Sequence, residues 1–238
     1  MRTELNPFLY INFERTGFYR VKYDGALFEN IKKNISKMDK YSRWGLISDY
    51  YASYLSGKAN LKELIATMNL FFEDSEYMLR DEIAGIVLNL HNILNRSNEI
   101  DDFGIKYISN HLKMLGEQKK GESINDSVIR GRLQSIRTLI DPSYAKEFSS
   151  NFKNFQNIPP DSRQAAAYAY ALAENDLDGL MKKLNEVQAD EDKIKIIGAT
   201  GYLNGKDKLD RVWKMIEDGK IKKQDSFRFV SSCSLNKS

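Results

Sequence analysis

The residue types that carry metal or group-transfer chemistry are sparse here: two histidines, His91 and His111, and one cysteine, Cys233, among 238 residues. Two histidines cannot build a three-imidazole metal centre, and one cysteine builds neither a thiolate zinc cluster nor an internal disulfide. His91 lies among Leu90, Asn92, Ile93 and Leu94, so it reads as an ordinary helix residue, and His111 reads the same way. No base motif accompanies Cys233, which reads as a small core residue. Adjacent carboxylates occur at Glu73-Asp74, Asp101-Asp102 and Asp190-Glu191-Asp192. Each group stands where a helix is expected to start, and the helix dipole favours acidic side chains there, so solvated caps are expected rather than acid–base pairs. Gly198 to Gly205 lacks phosphate-loop spacing. The basic pairs Lys32-Lys33, Lys119-Lys120 and Lys222-Lys223, with Lys113, are balanced by nearby acids and read as solvated faces. No catalytic or metal-binding residue is expected within the chain.

The elements that position these residues are helical. Nothing between residues 8 and 141 is proline, and apolar residues there recur at steps of three and four. The clearest stripe is Ile83, Ile86, Val87, Leu90, Ile93 and Leu94, opened by Asp74 and Ser75 as caps. Others run through Leu46, Ile47, Tyr50, Tyr51 and Tyr54, through Ile105, Ile108, Leu112 and Leu115, and through Val128, Ile129, Leu133, Ile136 and Ile140. Pro160 suits the first turn of a helix through Ala165–Ala173, whose small residues let two helices approach closely. Eleven or twelve helical segments joined by short turns, pairing about every 35–45 residues, suggest an all-α chain of HEAT- or armadillo-like superhelical type, with a globular helical bundle as the alternative.

The first 24 residues differ. Residues 8–13 form a β-prone run, Glu14 to Gly17 can turn, and Phe18 to Tyr23 alternates. A two-stranded hairpin is marginal alone, so it must pack on the helices or end a sheet that lies upstream. Domains are therefore expected at 1–24 and 25–238, with Arg20 anchoring the β-to-α junction through its forked guanidinium. The final segment, Asp225 to Leu235, carries no stop signal, and that abrupt end reads as a cut inside a larger architecture.

Composition narrows the function classes. Hydrophobic residues at 42% and aromatics at 11% are those of a chain that folds. The 36 basic and 33 acidic residues leave a net charge of +3, too even for a nucleic-acid binder. No signal peptide opens the chain, and no run of eighteen apolar residues spans a membrane, so a cytoplasmic protein without nucleic-acid or membrane partners is expected.

Thr16-Gly17-Phe18-Tyr19-Arg20-Val21-Lys22-Tyr23-Asp24 closely resembles a landmark of the zinc aminopeptidase family that includes aminopeptidase N, the puromycin-sensitive enzyme and the archaeal tricorn-interacting factors. Ser42-Arg43-Trp44-Gly45-Leu46-Ile47-Ser48-Asp49 is similar to that family's DR-x-x-L-x-x-D helix, with serine where aspartate is usual, and Gly57-Lys58 to the GK that follows. Pro160-Asp161-Ser162-Arg163 resembles its P-x-x-R helix, and Gly219 to Asp225 its G-x-I-x-x-Q-D turn. The resemblance implies a helical C-terminal domain preceded by the end of a β-sandwich. The family's HExxH and GxMEN motifs are missing, since Asn92 follows His91 and Leu112 follows His111. Zinc is thus implied for the parent enzyme and no cofactor for this portion.

By the same resemblance the chain is a helical bowl over an aminopeptidase active site, limiting peptide access. Its implied partners are the upstream catalytic domain, peptides and a larger protease complex. The helix opened by Arg163 can face the cavity, which makes Arg163 a candidate peptide contact, with Tyr168 and Tyr170 as neighbours that cannot both face it squarely. The alternative is a stand-alone HEAT-like scaffold that binds a protein partner.

Overall fold

The computed structural model describes residues 10–12, 15–94 and 98–236. Two compact units result, Met1–Asn89 and Leu90–Ser238, and each is taken by itself. The described residues hold twelve α-helices and no strand. None of these helices is long and apolar enough to cross a membrane.

The first unit holds α1 (Gly25–Lys33), α2 (Lys40–Leu55), α3 (Leu61–Asn69) and most of α4 (Tyr77–Ile93). Asp39 starts α2 by accepting from the backbone N–H groups of Tyr41 and Ser42. Asn60 and Glu63 start α3 with a reciprocal capping box. Asp74 accepts from Glu76 N ahead of α4, as a cap should. The core takes the expected Leu46, Ile47 and Tyr50 of α2 and Ile83, Ile86 and Val87 of α4, together with Leu64 and Met68 of α3.

The β-hairpin expected over residues 8–23 falls partly outside the described residues, which begin at Tyr10 and omit 13–14. Its second half, 18–23, forms no strand ladder. Side chains replace the ladder. The Tyr23 hydroxyl accepts from Ile11 N at 2.8 Å and donates to Ile11 O at 3.0 Å, while Asn12 bonds Gly17 N, Gly17 O and Tyr19 O. Asn12 adopts a positive φ of 64°, which asparagine tolerates.

The second unit holds α5 (Asn98–Leu115), α6 (Ile124–Ile140), α7 (Pro142–Phe148), α8 (Arg163–Glu174), α9 (Leu177–Glu186), α10 (Asp190–Thr200), α11 (Lys206–Glu217) and α12 (Ser226–Leu235). Helix α8 is its centre and packs on α6, α7 and α10. It can do so because Ala165, Ala166, Ala167, Ala169 and Ala171 are all buried, and methyl side chains let neighbouring backbones approach from several sides. In α5 the buried face is Ile100, Phe103, Tyr107, Ile108 and His111, rotated from the expected aliphatic stripe. His111 has no exposed surface, and its ring lies 4.3 Å from that of Tyr107.

Two glycines in this unit differ in what they permit. A Cβ on Gly131 of α6 would overlap the backbone carbonyl of Asp161, whereas one on Gly198 of α10 would meet only ordinary van der Waals neighbours, the nearest at 3.7 Å. Gly131→Ala is therefore expected to cost about 1–3 kcal/mol, and Gly198→Ala to be neutral or to stabilise by up to about 1 kcal/mol through helix propensity. Urea midpoints of the two variants check the contrast.

Candidate functional site

Two polar clusters are built into the helices, one in each unit. In the first, Asp49 stands on α2 with only 2% of its surface exposed. A buried carboxylate must be paired, and three donors converge on this one. Arg15 Nη1 donates to Oδ2 at 2.8 Å, Arg20 Nη1 to Oδ1 at 3.3 Å, and Val21 N to Oδ2 at 3.1 Å. Gly45, one turn earlier, leaves the space that the Arg15 side chain occupies across α2. The guanidinium then sits 5.7 Å from the Trp44 ring centroid. Burial is the largest single influence on Arg15 and would lower its pKa, but the hydrogen bond and charge of Asp49, with Tyr10, together outweigh it and the value rises.

Arg20, named from the sequence as the junction anchor, also reaches Ser48 O at 3.0 Å and Ser48 Oγ at 2.9 Å, so it ties the N-terminal segment to α2. Three tyrosines complete the attachment. Tyr50 donates to Tyr23 O at 2.6 Å and Tyr10 to Ser42 O at 2.8 Å, and burial pushes the Tyr23 hydroxyl up to about 12. Arg15 and the role of Asp49 were not drawn from the sequence. The available signal was the acid closing the α2 motif, which had no partner on its own helix.

In the second unit Arg163 opens α8. Its Nη1 donates to Asp192 Oδ2 at 2.6 Å, its Nη2 to Gln156 O at 2.8 Å and its Nε to Ile158 O at 3.3 Å. Phe155 lies under the guanidinium, 5.8 Å from the centroid. Lys195 donates to Pro160 O at 3.0 Å, and Ser127 Oγ to Asp161 Oδ2 at 2.5 Å, so segment 156–162 is pinned along its length. Asp192 is 5% exposed. It was expected as a solvated cap, but in the first turn of α10 it faces α8 and becomes the buried acceptor of Arg163.

Tyr168 and Tyr170 diverge, as residues two apart on a helix must. The Tyr168 ring lies 4.8 Å from Tyr202, and burial raises its pKa against the opposing effect of its bond with Ser232. Tyr170 stacks on Phe152 at 4.3 Å and donates to Asp176 Oδ2 at 2.7 Å. Burial first, then Asp176, pushes its hydroxyl up to about 12. Arg163, Tyr168 and Tyr170 are thus brought to one helix, each committed to residues of the chain itself.

The histidines do not fit a zinc site. His91 Nδ1 is 2.7 Å from Asp101 Oδ1, His111 is enclosed against Tyr107, and among the described residues no three His, Cys, Asp or Glu side chains group to hold a metal ion. Burial raises the Cys233 thiol above its ordinary value, so it is not an activated nucleophile. A surface groove of about 260 Å³ lies over Val187, Ile197 and Ile221, with Asp190, Lys193, Lys220 and Lys222 on its rim.

The family model of the ERAP1-like C-terminal domain matches residues 8–238. The tricorn protease-interacting factor F2 of Thermoplasma acidophilum is 34% identical over 236 residues, covering 98% of this chain and 29% of that protein. The leucyl aminopeptidase of Saccharolobus solfataricus is 27% identical, over 96% of this chain and 28% of its own length. Aminopeptidase M1-B of Oryza sativa subsp. japonica is 25% identical, over 97% of this chain and 29% of its own. The chain therefore spans less than a third of the length of the curated relatives it matches.

Both clusters are structural in geometry, and three substitutions check that. Asp49→Asn keeps the shape but removes the charge that Arg15 and Arg20 face, with an expected loss of roughly 3 kcal/mol in urea unfolding and altered Trp44 fluorescence. Arg163→Ala leaves Asp192 only its 3.6 Å contact with Lys195 and frees the carbonyls of Gln156 and Ile158, with a loss of similar size, about 3 kcal/mol. Arg163→Lys restores only part of that loss, because an ammonium cannot reproduce the fork. An Arg163→Ala protein as stable as the parent sequence would return the side chain to surface recognition.

Proposed function

The chain belongs to the ERAP1-like C-terminal domain family, and on that premise we propose that it is the non-catalytic helical part of a zinc-dependent aminopeptidase that removes N-terminal residues from peptides. The observation that carries this reading is the match over residues 8–238 together with relatives, two of them named aminopeptidases, that extend far beyond it in length. The zinc and its ligands belong to the rest of the parent polypeptide, because the histidines of this chain are engaged elsewhere.

In this reading residues 1–24 end an upstream β-sandwich, and residues 25–238 are a HEAT- or armadillo-like superhelix that forms a bowl over the active site and admits unfolded peptides. Two features support it. The described residues are all-α, and the alanine row of α8 permits the close helix stacking that a superhelix needs. The partners are the catalytic domain of the same polypeptide, peptides and, after the name of the Thermoplasma acidophilum relative, a larger protease complex, in the cytoplasm. Peptide contacts at Arg163, Tyr168 and Tyr170 use what their internal bonds leave open. Arg163 has five N–H donors and spends three. A stand-alone scaffold is the weaker reading, since the aminopeptidase relatives carry this portion within much longer chains.

The test compares the full-length parent with the 238-residue chain. The parent is expected to hold one zinc, to cleave aminoacyl reporter substrates and to trim an unfolded peptide while sparing a folded protein. The 238-residue chain alone is expected to cleave nothing. Chelator-sensitive turnover by that chain, or a parent without aminopeptidase activity, overturns the reading.

A further inference from the structure

One asparagine in the sequence, Asn204, is followed by glycine, Gly205. That pair carries a reaction of its own. The backbone nitrogen after an asparagine can close a five-membered ring on the side-chain Cγ, and a following glycine leaves the approach open because it has no Cβ. Asn204 is exposed, in the turn between α10 and α11, so water and hydroxide reach it. Gly205 adopts a φ of +114°, which residues with a side chain rarely take, so the turn itself calls for the glycine.

The turn is held step by step up to that point. Asn236 Nδ2 donates to Gly201 O at 3.0 Å and to Leu203 O at 2.9 Å. Asn204 is then clamped by a single side chain. Its N–H donates to Asn175 Oδ1 at 2.8 Å, and its carbonyl accepts from Asn175 Nδ2 at 3.1 Å. Lys208 Nζ adds a second donor to the same carbonyl at 3.2 Å. One amide group reaches both the N–H and the C=O of a residue when the two point to the same side, as they do in extended chain. Ring closure needs another conformation. The Asn204 Cα–C bond must rotate to bring Gly205 N over Cβ, and that rotation carries the carbonyl away from Asn175. The clamp thus opposes the reaction that the Asn-Gly pair invites.

We propose that Asn204 is a modification site of this protein, deamidating through a succinimide, and that the two hydrogen bonds from Asn175 set the rate. Gly205 N attacks Cγ of Asn204, its proton passes through water to the leaving amide, and ammonia departs. Water then opens the ring at one of its two carbonyls. Hydrolysis at Cγ gives aspartate. Hydrolysis at the α-carbonyl gives isoaspartate, in which the chain runs through Cγ and the former backbone carbonyl is a carboxylate. Isoaspartate lengthens the chain by one atom immediately ahead of Gly205, whose carbonyl accepts from Lys208 N and Leu209 N to start α11. It therefore undoes the tie between the exit of α8 and the entry of α11, as a change that accumulates with the age of the molecule.

Timed incubation of the 238-residue chain at mildly alkaline pH, with mass spectrometry of its tryptic peptides, tests this. Peptide 196–206 is expected to gain the amide-to-acid mass difference ahead of every other asparagine-bearing peptide, with isoaspartate as the main product by enzymatic carboxyl methylation. Asn175→Gly suits the left-handed conformation of that C-cap, φ 52°, while removing both bonds. It is expected to convert at least about fivefold faster, the factor that two exposed hydrogen bonds contribute to a closed conformation. The urea-unfolded chain supplies the unclamped rate without any substitution and is expected to exceed the folded rate by at least as much. The converted fraction, separated by its added negative charge, is expected to unfold at a lower urea midpoint. Equal rates in the folded and unfolded chain overturn the proposal. So does earlier conversion at another asparagine, or a folded chain that accumulates no product while the unfolded chain converts.

Discussion

Burying the carboxylate of Asp49 on α2 obliges the chain to bring positive charge and N–H donors to it, and the first unit is arranged around that obligation. An isolated carboxylate in an apolar interior is unstable by several kcal/mol, so helix α2 could not place Asp49 there alone. Arg15, Arg20 and the backbone of Val21 answer it, and all three come from the segment ahead of α1. The attachment of residues 15–23 to α2 is therefore electrostatic at its centre and aromatic at its rim, where Tyr10, Tyr23 and Tyr50 spend their hydroxyls on backbone groups. Gly45 belongs to the same arrangement, because a side chain there would meet Arg15.

The second unit solves a different problem with a related device. Methyl-sized residues on α8 allow α6, α7 and α10 to close around it, but such a helix offers few large side chains to lock its direction. The lock comes from its ends. Arg163 holds the entry through Asp192 and two carbonyls. Asn175, in the left-handed conformation at the C-cap, exchanges two hydrogen bonds with Asn204 at the exit. Small residues thus set how closely the helices pack, and charged or amide side chains set the direction in which they run.

The helices were legible in the sequence because burial imposes the three-and-four spacing, and Leu46, Ile83 and Leu133 lie where that spacing puts them. Caps at Asp39 and Asn60 follow from residue type at a helix start. What was not legible depends on partners distant in sequence. Asp192 looks like any acid in a first turn until Arg163 is seen 29 residues away, and Asp49 like any acid within a helix until Arg15 is seen 34 residues away. His111 reads in sequence as an ordinary helix residue, yet it lies fully inside against Tyr107, because an aromatic neighbour does not register in an aliphatic count. The expected strand of residues 18–23 shows no ladder among the described residues. Side chains can satisfy one edge of extended backbone without any ladder, and no periodicity in sequence distinguishes the two cases.

The sequence separations within the Asp49 cluster also bear on the order in which the chain assembles. Its three donors lie 28 to 34 residues from it, so each contact closes a loop and must first overcome that loop's entropy. The receiving surface, with Ser48 and Asp49 on one turn and Gly45 on the turn before, exists only once α2 has formed. Docking of residues 15–23 is thus a late event by topology, added to a helix that nucleates locally from Asp39. On a ribosome the same geometry means that residues 15–23 wait, unattached, until α2 has left the exit tunnel.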